Sequence, residues 1–231
     1  RFEGELVFAA AEVVMKAGGK QEETLELLNS QVSMKTEILK SKLLTAEELK
    51  ELGPKILGYN EPAKTVCVIA WAAGCFIKEH LRLSGIKFPH LMLIGESGSG
   101  KSNTLDRVVK PIFSIDRTTA AGQITRFTLM KEASESNTIP YVMDEFKPSK
   151  LDRIKINDLY NYFRNSYDGH LGTRGRADQT MVTYKLLAPL VVAGEEAADE
   201  AAIRERSIEL LFTKKDLKSD DRRANYKWLW V

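Results

Sequence analysis

The stretch His90-Leu91-Met92-Leu93-Ile94-Gly95-Glu96-Ser97-Gly98-Ser99-Gly100-Lys101-Ser102 joins a short apolar run to a glycine-rich loop. Residues 95–102 satisfy the pattern G-x-x-x-x-G-K-[ST] in full. The apolar strand His90 to Ile94 runs in, and a helix, Asn103 to Lys110, is expected to run out and stop at Pro111. Such a loop suits phosphate. Glycines let successive backbone N–H groups turn inward, and the helix N-terminus adds partial positive charge. Lys101 can reach β and γ phosphates, and the Ser102 hydroxyl can ligate Mg²⁺. Gly95, Glu96, Ser97, Gly98, Ser99, Gly100, Lys101, Ser102 and Asn103 form the expected nucleotide-binding set, with ATP and Mg²⁺ as the expected ligands.

Downstream, Ile139-Pro140-Tyr141-Val142-Met143-Asp144-Glu145 is an apolar strand ending in two carboxylates. Pro140 is tolerated because it falls at the strand's first positions. Asp144 is expected to hold Mg²⁺ through water, and Glu145 to polarise an attacking water as general base. A phosphotransferase activates a substrate hydroxyl and seldom needs that second acid, so the pair favours hydrolysis.

Elsewhere apolar runs alternate with helical patterns. A strand is expected at Glu5–Ala9, and a short helix at Thr24–Asn29. Thr45-Ala46-Glu47-Glu48 reads as a capping box, opening a helix that Gly53-Pro54 should stop. A long apolar helix, Ala63 to Leu83, ends at Ser84-Gly85. Further expectations are a strand at Ile112–Ile115, a helix at Gln123–Ser134 and an amphipathic helix at Ile154–Ser166. Leu171–Thr173 and Thr180–Leu186 suggest a hairpin. Leu190–Ala193 is a buried strand, Ala197–Arg206 a helix and Ser207–Phe212 a last strand. Strands alternating with helices imply a mostly parallel sheet covered on both faces. The fold class is therefore α/β: a three-layer core on residues 61–231, preceded by a mostly helical extension on residues 1–60.

The chain has 231 residues, 43% of them hydrophobic, which excludes disorder and collagen-like repeats. Its net charge of +2 excludes a wholly basic nucleic-acid-coating protein, though not a local basic element. No run of 18 apolar residues exists, so no membrane partner is expected. The start, Arg1 to Glu5, lacks a basic leader, and a cytoplasmic location is expected. Cys67 and Cys75 lie about 11 Å apart on a helix, too far for a disulfide, and both are expected as reduced core residues. The three histidines show no metal-ligand spacing. The abrupt ends at Arg1 and Trp228-Leu229-Trp230-Val231 suggest a fragment.

The loop at 95–102, the strand at 139–146 and the block from Gly172 to Arg206 together resemble AAA+ ATPases over roughly residues 60–231. More narrowly they are similar to the helicase-like ATPases of phages and mobile genetic elements, in the style of the minichromosome maintenance type. That resemblance implies an ATPase acting as a replicative DNA helicase or translocase. It also implies a homo-oligomeric ring, expected to be a hexamer, with ATP between subunits and a C-terminal lid that is incomplete here. An arginine from the neighbouring subunit would reach the γ-phosphate; Arg206 is the first candidate and Arg204 the second. At the end of the fourth strand the usual Asn or Thr sensor is absent; either Glu195 takes its place or the sensing contact comes from elsewhere. DNA is the expected partner, gripped at its backbone by the hairpin residues Arg174 and Arg176, with Lys185 assisting. Two alternatives are a remodeller of proteins, disfavoured because Ala121-Gly122-Gln123 lacks an aromatic residue, and a nucleotide-switched binding module.

Overall fold

The computed structural model describes residues 5, 7–10, 13–16, 36, 38, 42–175 and 181–229. Two strands, β1 (Val7–Ala10) and β2 (Val13–Lys16), pair as an antiparallel hairpin. Two helices follow, α1 (Ala46–Gly58) and α2 (Pro62–Leu83). A central sheet is then built from β3 (His90–Gly95), β4 (Thr119–Ala120), β5 (Tyr141–Phe146), β8 (Leu190–Gly194) and β9 (Ser207–Phe212). Its order is β4-β5-β8-β3-β9, and every neighbouring pair is parallel. The loop-bearing strand β3 and the acid-bearing strand β5 are thus separated by β8. The remaining elements are helices α3 (Lys101–Thr104), α4 (Lys110–Phe113), α5 (Arg126–Ala133), α6 (Arg153–Asp168), α7 (Ala201–Arg204) and α8 (Asp220–Trp228), and a second hairpin, β6 (Leu171–Gly175) with β7 (Met181–Lys185).

The sheet is buried on both faces because its strands are apolar at odd and even positions alike. Successive side chains point to opposite faces, and the core divides accordingly. Met92, Tyr141, Met143, Leu190 and Val192 pack against Leu129 and Met130 of α5 and Leu159 and Phe163 of α6. Leu91, Leu93, Val142, Val191 and Ala193 pack on the other side against Val68, Trp71 and Cys75 of α2 and Phe113 of α4. Phe163 is fully buried, and its ring centroid lies 5.9 Å from those of both His90 and Phe146. Burial of such a side chain stabilises by about 2–3 kcal/mol. The expected three-layer α/β core is present.

Several boundaries depart from the sequence reading for identifiable reasons. α1 opens on the capping box: Glu48 N donates to Thr45 Oγ1 (3.2 Å) and Thr45 N donates to Glu48 Oε2 (2.6 Å). It does not stop at Gly53-Pro54, however, but runs to Gly58. Ile56 packs on the core and Tyr59 is buried in it, and that packing outweighs the local breaker. Pro111 likewise fails to end its helix. A π-helical turn at Leu105–Val109 separates α3 from α4, with Lys110 N donating to Leu105 O, and Pro111 enters in the first turn of α4 where no N–H is needed. Ile112–Ile115 is therefore the end of a helix, and the strand falls at Thr119–Ala120. The helix expected at Gln123–Ser134 is a short 3₁₀ turn, Ala121–Gln123, followed by α5. The helix expected at Ala197–Arg206 shortens to four residues. Cys75 is buried but Cys67 is exposed, so only one of the two free thiols belongs to the core. The leading strand begins two residues later than expected. The helix expected at Thr24–Asn29 and the Arg176 end of the second hairpin lie outside the described residues.

Candidate functional site

All five strands of the parallel sheet end on one edge, and there the loop after β3, the end of β5 and the end of β8 enclose a cavity of about 500 Å³. In an open parallel sheet this edge is where ligands bind. Ser97, Gly98, Lys101 and Ser102 line it from the loop; Asp144 and Glu145 line it from β5. The two motifs predicted separately therefore meet at one place.

The loop takes backbone conformations suited to curling around an anion, with φ +75° at Gly98 and +95° at Gly100, the residue that opens α3. Lys101 is folded back over the loop. Its Nζ donates to Gly95 O (2.7 Å), Glu96 O (2.8 Å) and Ser99 Oγ (3.4 Å). Burial pulls its pKa down, opposed by the negative charges of Glu195, Asp144 and Glu96. A buried ammonium held by carbonyl oxygens can exchange them for phosphate oxygens, which are charged and therefore stronger acceptors. Glu96 faces the other way: it accepts from Lys214 N (2.9 Å), which holds its carboxyl below the usual range. Behind the loop, Tyr59 OH and Thr104 Oγ1 lie 2.5 Å apart, and Thr104 Oγ1 donates to Gly100 O (2.8 Å). The α1–α2 junction thus braces the start of α3.

The acid pair is presented by an irregularity that the sequence does not announce. Met143 pairs with Val192 of β8 and Phe146 with Gly194, so Asp144 and Glu145 together oppose the single residue Ala193. This is a β-bulge, and it turns a strand end outward. Glu145 sits within it at φ +57°, a left-handed conformation that is uncommon for a glutamate and concentrates at functional sites. Glu145 N donates to Asp144 Oδ1 (2.7 Å). Among the described residues, no group of three or more His, Cys, Asp or Glu side chains forms a metal cage. A hydroxyl and a carboxylate in one cavity, Ser102 and Asp144, instead fit a cation such as Mg²⁺ that takes its other ligands from phosphate and water.

Lys147, Lys150 and Glu195 also line the cavity. Nothing in the residue pattern marks Lys147 or Lys150 as site residues. The only available signal was their position directly after an acid-ended strand, and lysines in that position are usually solvated.

Arg206, Arg204 and the second hairpin lie elsewhere. Arg206 directly precedes β9, and His90 N donates to its carbonyl (3.0 Å). β9 runs in register with β3 from His90–Ser207 to Gly95–Phe212. Arg206 is therefore a full strand length, about 17–20 Å, from the phosphate loop of its own chain. Its guanidinium donates to Ala202 O (2.7 Å), lies 3.7 Å from Asp168 and stands over the Tyr167 ring (5.4 Å). Arg204 pairs with Glu209 at 3.2 Å. On the hairpin, Arg174 pairs with Val182 and Lys185 with Leu171; Lys185 is exposed, and Arg176 is outside the described residues.

No family model matches the chain, and no curated protein matches it. Solved structures do. A ligand-bound JCV helicase superposes with a TM-score of 0.49 at 12% identity, over 81% of this chain and 50% of its own. The apo C-terminal region of NrS-1 gives 0.43 at 16%, over 84% and 46%. The chain thus spans about half the length of these structures. At these values the likeness carries no functional argument.

Proposed function

We propose that this chain is the core of an ATP-hydrolysing motor, a ring-forming replicative DNA helicase or translocase of a mobile element. One observation carries the reading: Lys101 and Ser102 of a complete phosphate loop meet Asp144 and Glu145 in a single cavity at the C-terminal edge of the sheet. Lys101 and the loop N–H groups hold the β and γ phosphates. Ser102 and Asp144 hold Mg²⁺, whose charge, when bound, offsets that developing on the phosphoryl oxygens. Glu145 accepts a proton from water as the water oxygen bonds to the γ-phosphorus and the bond to the β-phosphate oxygen breaks, leaving ADP and phosphate. Arg206 is too far from its own loop to assist in the same chain, so its role is in the neighbouring subunit's site. Arg204 is the second candidate for that role. The hairpin, through Arg174, Arg176 and Lys185, contacts DNA phosphates without reading bases. A protein-remodelling motor is less well supported, because the Ala121–Gln123 turn offers no aromatic residue to grip a polypeptide.

The test is ATP hydrolysis with and without DNA. Strong stimulation by DNA is expected. Turnover indifferent to nucleic acid would leave an ATPase whose work is done on something else.

A further inference from the structure

Lys101 is not the only cation aimed at the cavity. Lys147 directly follows β5 and Glu195 directly follows β8, and Lys147 Nζ lies 2.5 Å from Glu195 Oε2. The backbone fixes this meeting. Gly194 passes Phe146 so closely that a Cβ on it would lie 2.0 Å from Phe146 O, and Glu195 N donates to that same carbonyl (3.2 Å). Both side chains line the cavity that holds Lys101, Asp144 and Glu145.

A carboxylate at a phosphate site is a repulsive neighbour unless a cation neutralises it. With Glu195 paired to Lys147, that repulsion is masked. The pair is also easily broken: its side chains are 29% and 43% exposed, and ion pairs so open to water contribute little. A terminal phosphate entering the cavity offers Lys147 an acceptor of higher charge.

We infer that Lys147 is a further catalytic cation of this site, moving from Glu195 to the terminal phosphate of a nucleoside triphosphate, and that Glu195 is the residue that positions it. The inference rests on the nucleotide reading above and deepens it. The site then senses the γ-phosphate through a lysine on the acid-bearing strand, and the ion pair re-forms once that phosphate leaves. A diphosphate lacks the γ-phosphate, so the lysine discriminates between the two nucleotides.

The test compares ATP and ADP affinity, by titration calorimetry, in Lys147→Ala, Lys147→Arg, Glu195→Gln and Lys101→Ala, together with turnover. Lys147→Ala is expected to weaken ATP about tenfold, or about 1.4 kcal/mol, with ADP affinity unchanged and turnover reduced. Lys147→Arg should restore most of the ATP preference, and Glu195→Gln, which removes the ion pair that positions Lys147, should lose part of it. An equal loss for both nucleotides, or none at all while Lys101→Ala is defective, would overturn the role of Lys147 alone. Normal ATP binding by Lys101→Ala would overturn the nucleotide reading, and this inference with it.

Discussion

The close approach of β5 and β8 can be tested at one atom. Replacing Gly194 by alanine places a Cβ 2.0 Å from Phe146 O, about 1 Å inside the shortest contact that real Cβ atoms make. Neither backbone can yield without opening the strand pair beside the bulge. The substitution should forfeit the Glu195 N to Phe146 O hydrogen bond, worth about 1 kcal/mol. Overpacking adds about 1–3 kcal/mol, for a total loss of about 2–4 kcal/mol. In urea, with m of about 2–3 kcal/mol/M, the unfolding midpoint should fall by roughly 1 M. Because Asp144 and Glu145 lie on β5 and Lys147 directly follows it, a shift of about 1 Å should also lower ATP turnover about 100-fold in the molecules that remain folded. Gly175→Ala is the matched control: a Cβ there meets nothing within 4 Å, and its stability should change by less than about 0.5 kcal/mol. An unchanged midpoint and unchanged turnover in Gly194→Ala would refute the claim that this crossing positions the acids.

Other outcomes follow from single groups. Burial pushes the His90 imidazole down to about 4, below its ordinary 6.5. The unfolded chain therefore binds a proton that the folded one refuses, and stability, complete above pH 6.5, should fall by about 3 kcal/mol as pH drops toward 4; His90→Gln should flatten that slope in urea titrations at each pH. Glu145→Gln should bind ATP as the parent does yet cease to turn it over; full hydrolysis by that variant would remove the base. Arg206→Ala should be inactive alone but regain turnover when mixed with Lys101→Ala chains, whose arginine is intact; absence of rescue would count against a role across subunits. Arg174→Ala combined with Arg176→Ala should flatten the salt dependence of single-stranded DNA binding by roughly 0.7 per lost phosphate contact; an unchanged slope would take the hairpin out of the motor.

What could be read from the sequence was whatever the chemistry keeps local. The glycines, Lys101 and Ser102 of the loop fall within eight residues, and Asp144 closes an apolar run, so both stretches stand out in the sequence alone. The Thr45 cap was visible for the same reason, since its partner Glu48 is three residues away. Features that depend on register between distant strands were not. The bulge at Asp144-Glu145 exists only relative to Ala193 on β8. The Lys147–Glu195 pair joins residues 48 apart through two neighbouring strands. Proline misled twice, at Pro54 and Pro111. In the first case core packing of Ile56 and Tyr59 carried the helix past the breaker; in the second a π-turn moved the proline to a helix start. Two cysteines eight residues apart on one apolar helix suggest two core residues, but at 100° per residue they are rotated by about 80°, enough to bury Cys75 and expose Cys67.

The cavity between Lys101 and the Asp144-Glu145 bulge is proposed to bind a nucleoside triphosphate. Titration calorimetry of ATP with Mg²⁺ against the parent chain and Lys101→Ala tests it most directly. Saturable binding by the parent and none detectable for Lys101→Ala are expected. Equal affinity in the two would contradict it.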